Sequence, residues 1–492
     1  MDEPSDSYFQ SSIHWSGVGY RHTEAWNDGT AGLSQFPMLP RGNHTNVHDT
    51  TGAWGLSWYA DHTTAASADG LHGMIYVAPD PARPRPYKLI TDNPLELRQI
   101  MEAEQNIRHL AIKNHMHRDT NWKILQMRAE GTEFYCYDSL LVNGKGRNLC
   151  RAPGFEELNG QSLDETGCIQ PAGFPPASCS PSAADFEVIE TDGQDYIMLN
   201  LVNVGFEHEV RVAIDHHKIF IVANDGGFVE PIQGDAKRQP ILGQPMQLPD
   251  VDADDICLQP DSSVKAKCNL IDGEQTRAYP PSPPSHARNS RADGAADFTF
   301  HLSAGVQKSQ TEKFAPEYFL NEKPWQLFRG AMQPLLFTNL SSPSAQSALE
   351  KPVIHGLPVG SVVDLVIENQ LNDTVPLYKH GRPAWLLGSR AHANFSRENV
   401  LDAANGHEPL NLRDPPLVVV HDLPPLGWSV LRFEVTTKAA TMLHAVKLRH
   451  FVLGMSAPIL EGFTAEDPIA VPDSAKNRPH VTFQPKNDGV FG

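Results

Sequence analysis

Short apolar runs closed by turn residues recur along the whole chain, and this punctuation limits the fold more than any other feature of the sequence. The clearest runs lie at 70–77, 196–204, 210–215, 218–223, 297–302, 362–368 and 428–435, each bounded by glycine, proline, asparagine or aspartate. Runs of that length with that punctuation read as β-strands. Forty prolines, 36 glycines and only 20% charged residues agree with a turn-rich, all-β protein. One short helix is expected at 94–104, where Pro94 suits a first turn. The runs 210–215 and 218–223 are expected to form a hairpin through Asp215-His216-His217.

A chain of 492 residues can hold several full cores. The pattern divides it into a first unit at 1–85 and a second at 86–275. A Pro/Ser-rich flexible linker follows at 276–296, then a third unit at 297–463 and a polar surface tail at 464–492. A formal charge of −19 argues against nucleic acid or an anionic membrane as partner, since both require a basic face. No apolar run approaches the roughly 18 residues of a membrane-spanning helix. The start, Met1-Asp2-Glu3-Pro4-Ser5-Asp6, is too polar for a signal peptide. Six cysteines (Cys136, Cys150, Cys168, Cys179, Cys257, Cys268) and sequons at Asn43, Asn339, Asn372 and Asn394 nevertheless point to an oxidising, glycosylating route and a secreted protein.

Several passages carry a resemblance. Asp138-Ser139-Leu140-Leu141-Val142-Asn143-Gly144-Lys145-Gly146-Arg147 is one, and Asn203-Val204-Gly205 leading to Asn224-Asp225-Gly226 is another. Phe319-Leu320-Asn321-Glu322-Lys323-Pro324-Trp325 and Leu357-Pro358-Val359-Gly360-Ser361 follow in the third unit. With His444-Ala445-Val446-Lys447-Leu448-Arg449-His450 and Met455 near the end, these resemble the multicopper oxidases, laccases among them, in the family's order over nearly the whole chain. The resemblance implies three cupredoxin-like β-sandwich domains. Because its first motif stands as early as Ile13-His14, it also implies that the first domain is truncated at the N-terminus.

The family's copper motifs correspond here to His14-Trp15-Ser16-Gly17, Ala60-Asp61-His62, Val375-Pro376-Leu377-Tyr378-Lys379-His380-Gly381 and the His444–His450 passage. The resemblance places Val375, Ala445 and His450 at the blue-copper ligands, where a cysteine thiolate is indispensable. It implies that no complete blue-copper centre forms. Of the trinuclear cluster's histidines, His14, His62, His380 and His444 remain. By correspondence, His62, His380 and His444 belong to one type 3 copper. Ser16, Ala60 and Val446 stand where its twin would be held. His14 matches a type 2 ligand whose companion is now Tyr378.

Three imidazoles with one open position could hold a mononuclear Zn²⁺ or Cu²⁺, with Asp61 and Tyr378 beside it as acid–base groups. The alternative is that these histidines are hydrogen-bonded core residues. Paired histidines at His115-Met116-His117 and at 216–217 read as solvated, and His421-Asp422 as a turn. Trp15, Tyr20, Trp26, Trp54, Trp58 and Tyr59 read as core or as pocket walls. No phosphate loop, Gly-x-Ser-x-Gly elbow or Cys-x-x-Cys is present.

The function expected is that of a non-redox tailoring enzyme acting on phenol- or quinone-type molecules in fungal-type secondary metabolism. It would work by orienting a cyclisation such as a hetero-Diels–Alder addition. The alternatives are a non-catalytic binding protein or companion of an oxidase, and a residual copper-dependent phenol oxidase.

Overall fold

The computed structural model describes the chain from residue 10 to residue 477, leaving aside most of 18–24, 121–136, 151–178, 240–264, 287–293, 310–315, 326–333 and 338–351 and some single positions between them. It is an all-β protein, and the longest helix among the described residues runs only from Pro94 to Gln105. That helix opens as its sequence dictates: Pro94 occupies the first turn and the Asn93 side chain accepts from the Leu95 N–H. Among the described residues no helix is long and apolar enough to cross a membrane.

The third unit is built from a six-stranded and a five-stranded sheet packed face to face. Strand Val362–Asn369 shows how the sequence sets this. Val363, Leu365 and Ile367 point into the core between the sheets, while Val366 points to the other face, against Leu387, Trp428 and Val430. Asp364 shares that outer face and lies directly opposite Arg432 of strand Trp428–Glu434. The guanidinium grips the carboxylate through two hydrogen bonds of 2.7 and 2.8 Å. Arg432 also donates to the carbonyls of Ser285 and Gly294. The stretch expected to be a flexible linker is therefore fastened to this sheet, and Trp385 Nε1–H adds a bond to the Ser282 carbonyl. Its low apolar content concealed backbone carbonyls that a buried arginine and tryptophan need as acceptors.

The first unit is a three-stranded antiparallel sheet of Ile13–Trp15, Gly55–Asp61 and His72–Val77, with His14 opposite Ala60. In the second unit, strand Arg108–His115 pairs with Ser139–Val142 and Leu199–Asn203. The expected hairpin through 215–217 does not form. Val210–Ala213 pairs with Ala236–Gln239, and Ile219–Asn224 pairs with Gly227–Gly234. The true reversal is Asp225-Gly226, both at positive φ (47° and 74°), the conformation that the tightest hairpin turns require. Asp215 and His216 lie outside the described residues, as do Tyr20, Cys136, Cys168 and Asn339.

The tip of that hairpin joins the three units. The Asp225 carboxylate accepts from the N–H groups of Val419 and Val420 in the third unit. On its other side, a Cβ on Gly55 of the first unit would stand 3.0 Å from the Gly226 Cα, and Gly55 itself has φ +95°. Only glycine permits that approach at that φ.

Other expectations need amending. His115 closes a strand, and Met116 is buried in a core rather than solvated. His421 lies on strand Val420–Leu423, buried, with Nε2 2.9 Å from Ser429 Oγ, so it is not in a turn. In the segment read as a surface tail, Val471 and Ala475 pack into the core around Met442 and Phe463. Cys150–Cys179 and Cys257–Cys268 are disulfide-bonded.

Candidate metal centre

Four strand ends deliver imidazoles to one chamber between the first and third units. His14 lies on Ile13–Trp15, and His62 follows Gly55–Asp61, its N–H extending that pairing to the Ser12 carbonyl. His380 follows Val375–Lys379 and bonds the Met442 carbonyl, and His444 lies on Ala439–Ala445. All four are buried, His380 completely.

His62, His380 and His444 each place a ring nitrogen within 4.8 Å of the others. His62 Nε2 and His444 Nε2 are 3.2 Å apart. Two nitrogens bound about 2.0 Å from one tetrahedral ion lie about 3.3 Å apart, so this pair already has the spacing of two ligands on one ion. His444 Nδ1 lies 2.8 Å from the Ala445 carbonyl and donates to it, which leaves the Nε2 lone pair pointing inward. His380 Nε2 is buried with no hydrogen-bond partner among the described residues, as is His62 Nδ1. A buried nitrogen without a partner costs about 1–3 kcal/mol, and an ion at this point would remove that cost at His380. The donor set is nitrogen only, the set that suits Zn²⁺ or Cu²⁺.

A residue the sequence did not single out completes the arrangement. Asp28 has a side chain 2% exposed, and its Oδ2 lies 3.2 Å from His380 Nδ1. A carboxylate behind a ligating imidazole fixes the tautomer that presents Nε2 to a metal. Thr30 donates to the same Asp28 oxygen. Gly29 sets the position: at φ +86°, with its missing Cβ 2.0 Å from the Ile13 carbonyl, it lets the Asp28 loop lie directly on the strand that carries His14. Asp28-Gly29 reads in sequence only as a turn.

Burial pushes the Asp28 carboxyl up, but the imidazoles of His14 and His380, by charge and by hydrogen bond, outweigh it and hold the group well below the usual carboxylate range. Burial wins at His380, whose pKa falls to about 4 despite Asp28. The pair is therefore a carboxylate accepting from a neutral ring. His62 and His444 are also held neutral, first by burial and then by the neighbouring rings.

His14, expected as a ligand, forms with Asp28 and His380 a second group close enough to hold an ion, and its nitrogens are hydrogen-bonded: Nδ1 lies 2.7 Å from the Asp28 carbonyl and Nε2 lies 2.8 Å from the Tyr378 hydroxyl. Its ring stacks on His380 with centroids 3.9 Å apart, so it braces the centre from behind. Asp61, expected beside the metal as an acid–base group, turns its carboxylate to Ser11 Oγ and the N–H groups of Ser12 and Thr63. Successive side chains of an extended strand point to opposite faces, and Asp61 immediately precedes His62. Tyr378, two residues before His380, does face the chamber; burial first, then the charges of Asp28 and Asp225, push its hydroxyl far above its ordinary pKa.

The place of the blue copper is different in kind. Val375, Ala445 and Met455 are fully buried members of the third unit's main apolar core. His450 lies against Tyr318, with centroids 4.3 Å apart, and is kept neutral by burial and then by Arg449 and Lys447. These residues do not fit a blue-copper ion, which needs a thiolate.

The buried neutral histidines also set an acid limit on the fold. His421, pushed down to about 3 by burial, stays neutral in the native state, while in the unfolded chain it protonates near its ordinary pKa of about 6.5. The unfolded state thus binds more protons below that pH. Stability is expected to hold above about pH 6.5 and to fall progressively toward about pH 3. Urea midpoints measured across that range test this, and His421→Gln should make the decline shallower.

Beside the histidines a cavity of about 1210 Å³ opens between the three units, lined by Trp54, Trp58, Tyr378 and Phe228 among others.

Three models described as multicopper oxidase match residues 8–82, 110–236 and 323–463. A laccase of Pestalotiopsis fici is 29% identical, over 97% of this chain and 86% of its own length. Laccase abr2 of Aspergillus fumigatus is 24% identical, over 92% and 86%. Among solved structures, the laccase from Botrytis aclada superposes with a TM-score of 0.65 at 16% identity, covering 95% of this chain and 80% of that one. Fet3p, a multicopper oxidase that functions in iron import, gives 0.61 at 15%, covering 92% and 80%. These likenesses of fold accord with cupredoxin-type sandwiches. With matches along its length, in the order of the sheets described above, the chain belongs to the multicopper oxidase family.

Proposed function

We propose that this family member is a non-redox enzyme holding one Zn²⁺ or Cu²⁺ on His62, His380 and His444 and acting on phenol- or quinone-type small molecules. The observation that carries the reading is the contrast between two places in one chain. Three imidazoles converge, one backed by a buried carboxylate, while the electron-entry position is filled by Val375, Ala445 and Met455.

When bound, such an ion would supply Lewis acidity toward a substrate oxygen. The chain's own residues do the rest. Trp58 packs against Tyr378, centroids 5.3 Å apart, and gives the chamber an aromatic wall that can orient a planar ring. The Tyr378 hydroxyl, protonated and 2.8 Å from His14 Nε2, holds a proton at the chamber's edge. Asp28 fixes His14 and His380 together, so the polar side of the chamber is rigid before substrate arrives. Orientation of this kind suits a cyclisation, a hetero-Diels–Alder addition to a quinone methide being the example whose geometry needs no electron relay.

The disulfides and the exposed Asn43, Asn372 and Asn394 support an oxidising, secretory location for it. Protein loaded with excess Cu²⁺ is expected to show no intense thiolate-to-copper absorption and to consume no dioxygen with a phenol. A blue product with oxygen uptake would overturn the proposal in favour of an oxidase. If neither metal nor turnover of a quinone methide were found, a binding or companion role would replace it.

A further inference from the structure

Acidic and basic side chains line the cavity, yet among the described residues each one drawn in from solvent already has a partner. Glu104 takes the Arg85 Nε–H on both oxygens, at 3.1 and 3.2 Å. Arg83 lies 4.9 Å over the Trp54 ring and holds a further partner of its own. The Asp225 carboxylate accepts from Val419 and Val420, and that of Asp61 from Ser11, Ser12 and Thr63. Asp272 accepts from the Glu274 N–H, and Asp422 is partnered as well. The remaining charged groups, Asp195, Lys218, Glu274 and Arg382, are exposed and stand in water at the rim.

Inside that rim the walls are rings. Trp58, Tyr76, Tyr196, Phe220 and Phe228 face the space, and Trp54, packed on Phe228 with centroids 4.2 Å apart, closes one end. Burial first, and then the Glu104 charge, pushes the Tyr76 and Tyr87 hydroxyls up, so these rings also stay uncharged. The space is long: Trp54 and His62 both line it from opposite ends of strand Gly55–Asp61, and eight residues of extended chain span about 26 Å. Its volume of about 1210 Å³ exceeds the roughly 300–1,000 Å³ of a typical small-molecule site. An ion entering it would give up water and meet no free counter-charge, whereas an uncharged ring loses nothing comparable.

We infer that the chamber takes an elongated, uncharged ligand of two or more aromatic rings and rejects the ionised acid or amine of the same shape. This rests on the reading that the cavity is the substrate chamber, and it narrows that reading from phenol- or quinone-type molecules to neutral, multi-ring ones.

The test uses the full chain and three probes of similar shape, followed by calorimetry and tryptophan fluorescence at pH 7. These are 4-phenylphenol, biphenyl-4-carboxylate and 4-phenylbenzylamine, which are neutral, anionic and cationic. The alcohol is expected to bind at least about tenfold more tightly than either ion, and phenol itself at least about tenfold more weakly than 4-phenylphenol. Glu104→Gln leaves Arg85 uncompensated beside the cavity and should raise the affinity of the acid relative to the alcohol about tenfold. Arg85→Met leaves Glu104 uncompensated and should do the same for the amine, so the two variants move the preference in opposite directions. Acid or amine bound as tightly as the alcohol by the unaltered chain, no probe bound at all, or a preference unmoved in both variants would overturn the inference. Metal analysis of the same sample keeps the two readings apart. The expected order of probes in a chain that takes up no metal would overturn the three-histidine site alone. One equivalent of metal with the three probes bound alike would overturn the present inference alone.

Discussion

With the proposed three-histidine site, the unaltered chain is expected to take up a single equivalent of Zn²⁺ or Cu²⁺ and His380→Ala to abolish that uptake, as read by metal analysis and calorimetric titration. The ring nitrogen it removes, Nε2, is buried without a partner among the described residues. Asp28→Asn keeps the shape behind His380 but replaces the carboxylate, and it should weaken metal binding about 10- to 100-fold, the effect of removing an outer partner of a ligating imidazole. His14→Ala should weaken binding less than His380→Ala, because its nitrogens face Asp28 and Tyr378. Equal losses in His14→Ala and His380→Ala would sink the three-histidine assignment. Metal bound at full strength by His380→Ala would do so as well.

The second large effect lies away from the chamber. Asp364→Ala leaves Arg432 charged and 1% exposed inside the third unit, and is expected to cost about 3–5 kcal/mol in urea unfolding. The double change Asp364→Leu with Arg432→Met removes both charges and should recover most of that loss on the side of the pair itself. It also releases the carbonyls of Ser285 and Gly294. Protease sensitivity near residues 280–296 should therefore rise in the double variant even where the urea midpoint recovers. An Asp364→Ala protein as stable as the parent would show that the guanidinium reaches solvent, contrary to the geometry.

Strands were legible where burial of both faces wrote a continuous apolar run into the sequence. Residues 362–368 and 428–435 read as strands and are strands, because both of their faces are buried and every side chain is committed. The hairpin was misplaced by ten residues for a local reason. Asp225-Gly226 carries the tight-turn signal, and 215–217 carries none beyond lying between two apolar runs. The 276–296 stretch was misjudged because composition reports what a segment contains and not what it is bonded to. In the chamber, the convergence of His62, His380 and His444 was legible through motif order, since each sits in a recognisable strand-end passage. Asp61 was drawn in by adjacency to His62, which on an extended chain is the surest way to face elsewhere. Lys379 shows the same rule: its side chain lies on the other side of the strand from the His380 ring, where Nζ donates to Glu461 at 3.2 Å and to the His380 carbonyl at 3.1 Å and lies over the Phe433 ring. Asp28 could not be found by motif at all. Its partners His14 and His380 are brought together by folding, and a lone aspartate before a glycine carries no trace of them.

The Asp225-Gly226 turn touches the other two units, yet the second unit, which carries it, brings none of the three metal-facing histidines. Its share of the work is dimensional: it governs how far apart the walls of the chamber stand. A transplant of the second unit between relatives is thus expected to alter the width of the vessel while leaving His62, His380 and His444 in place.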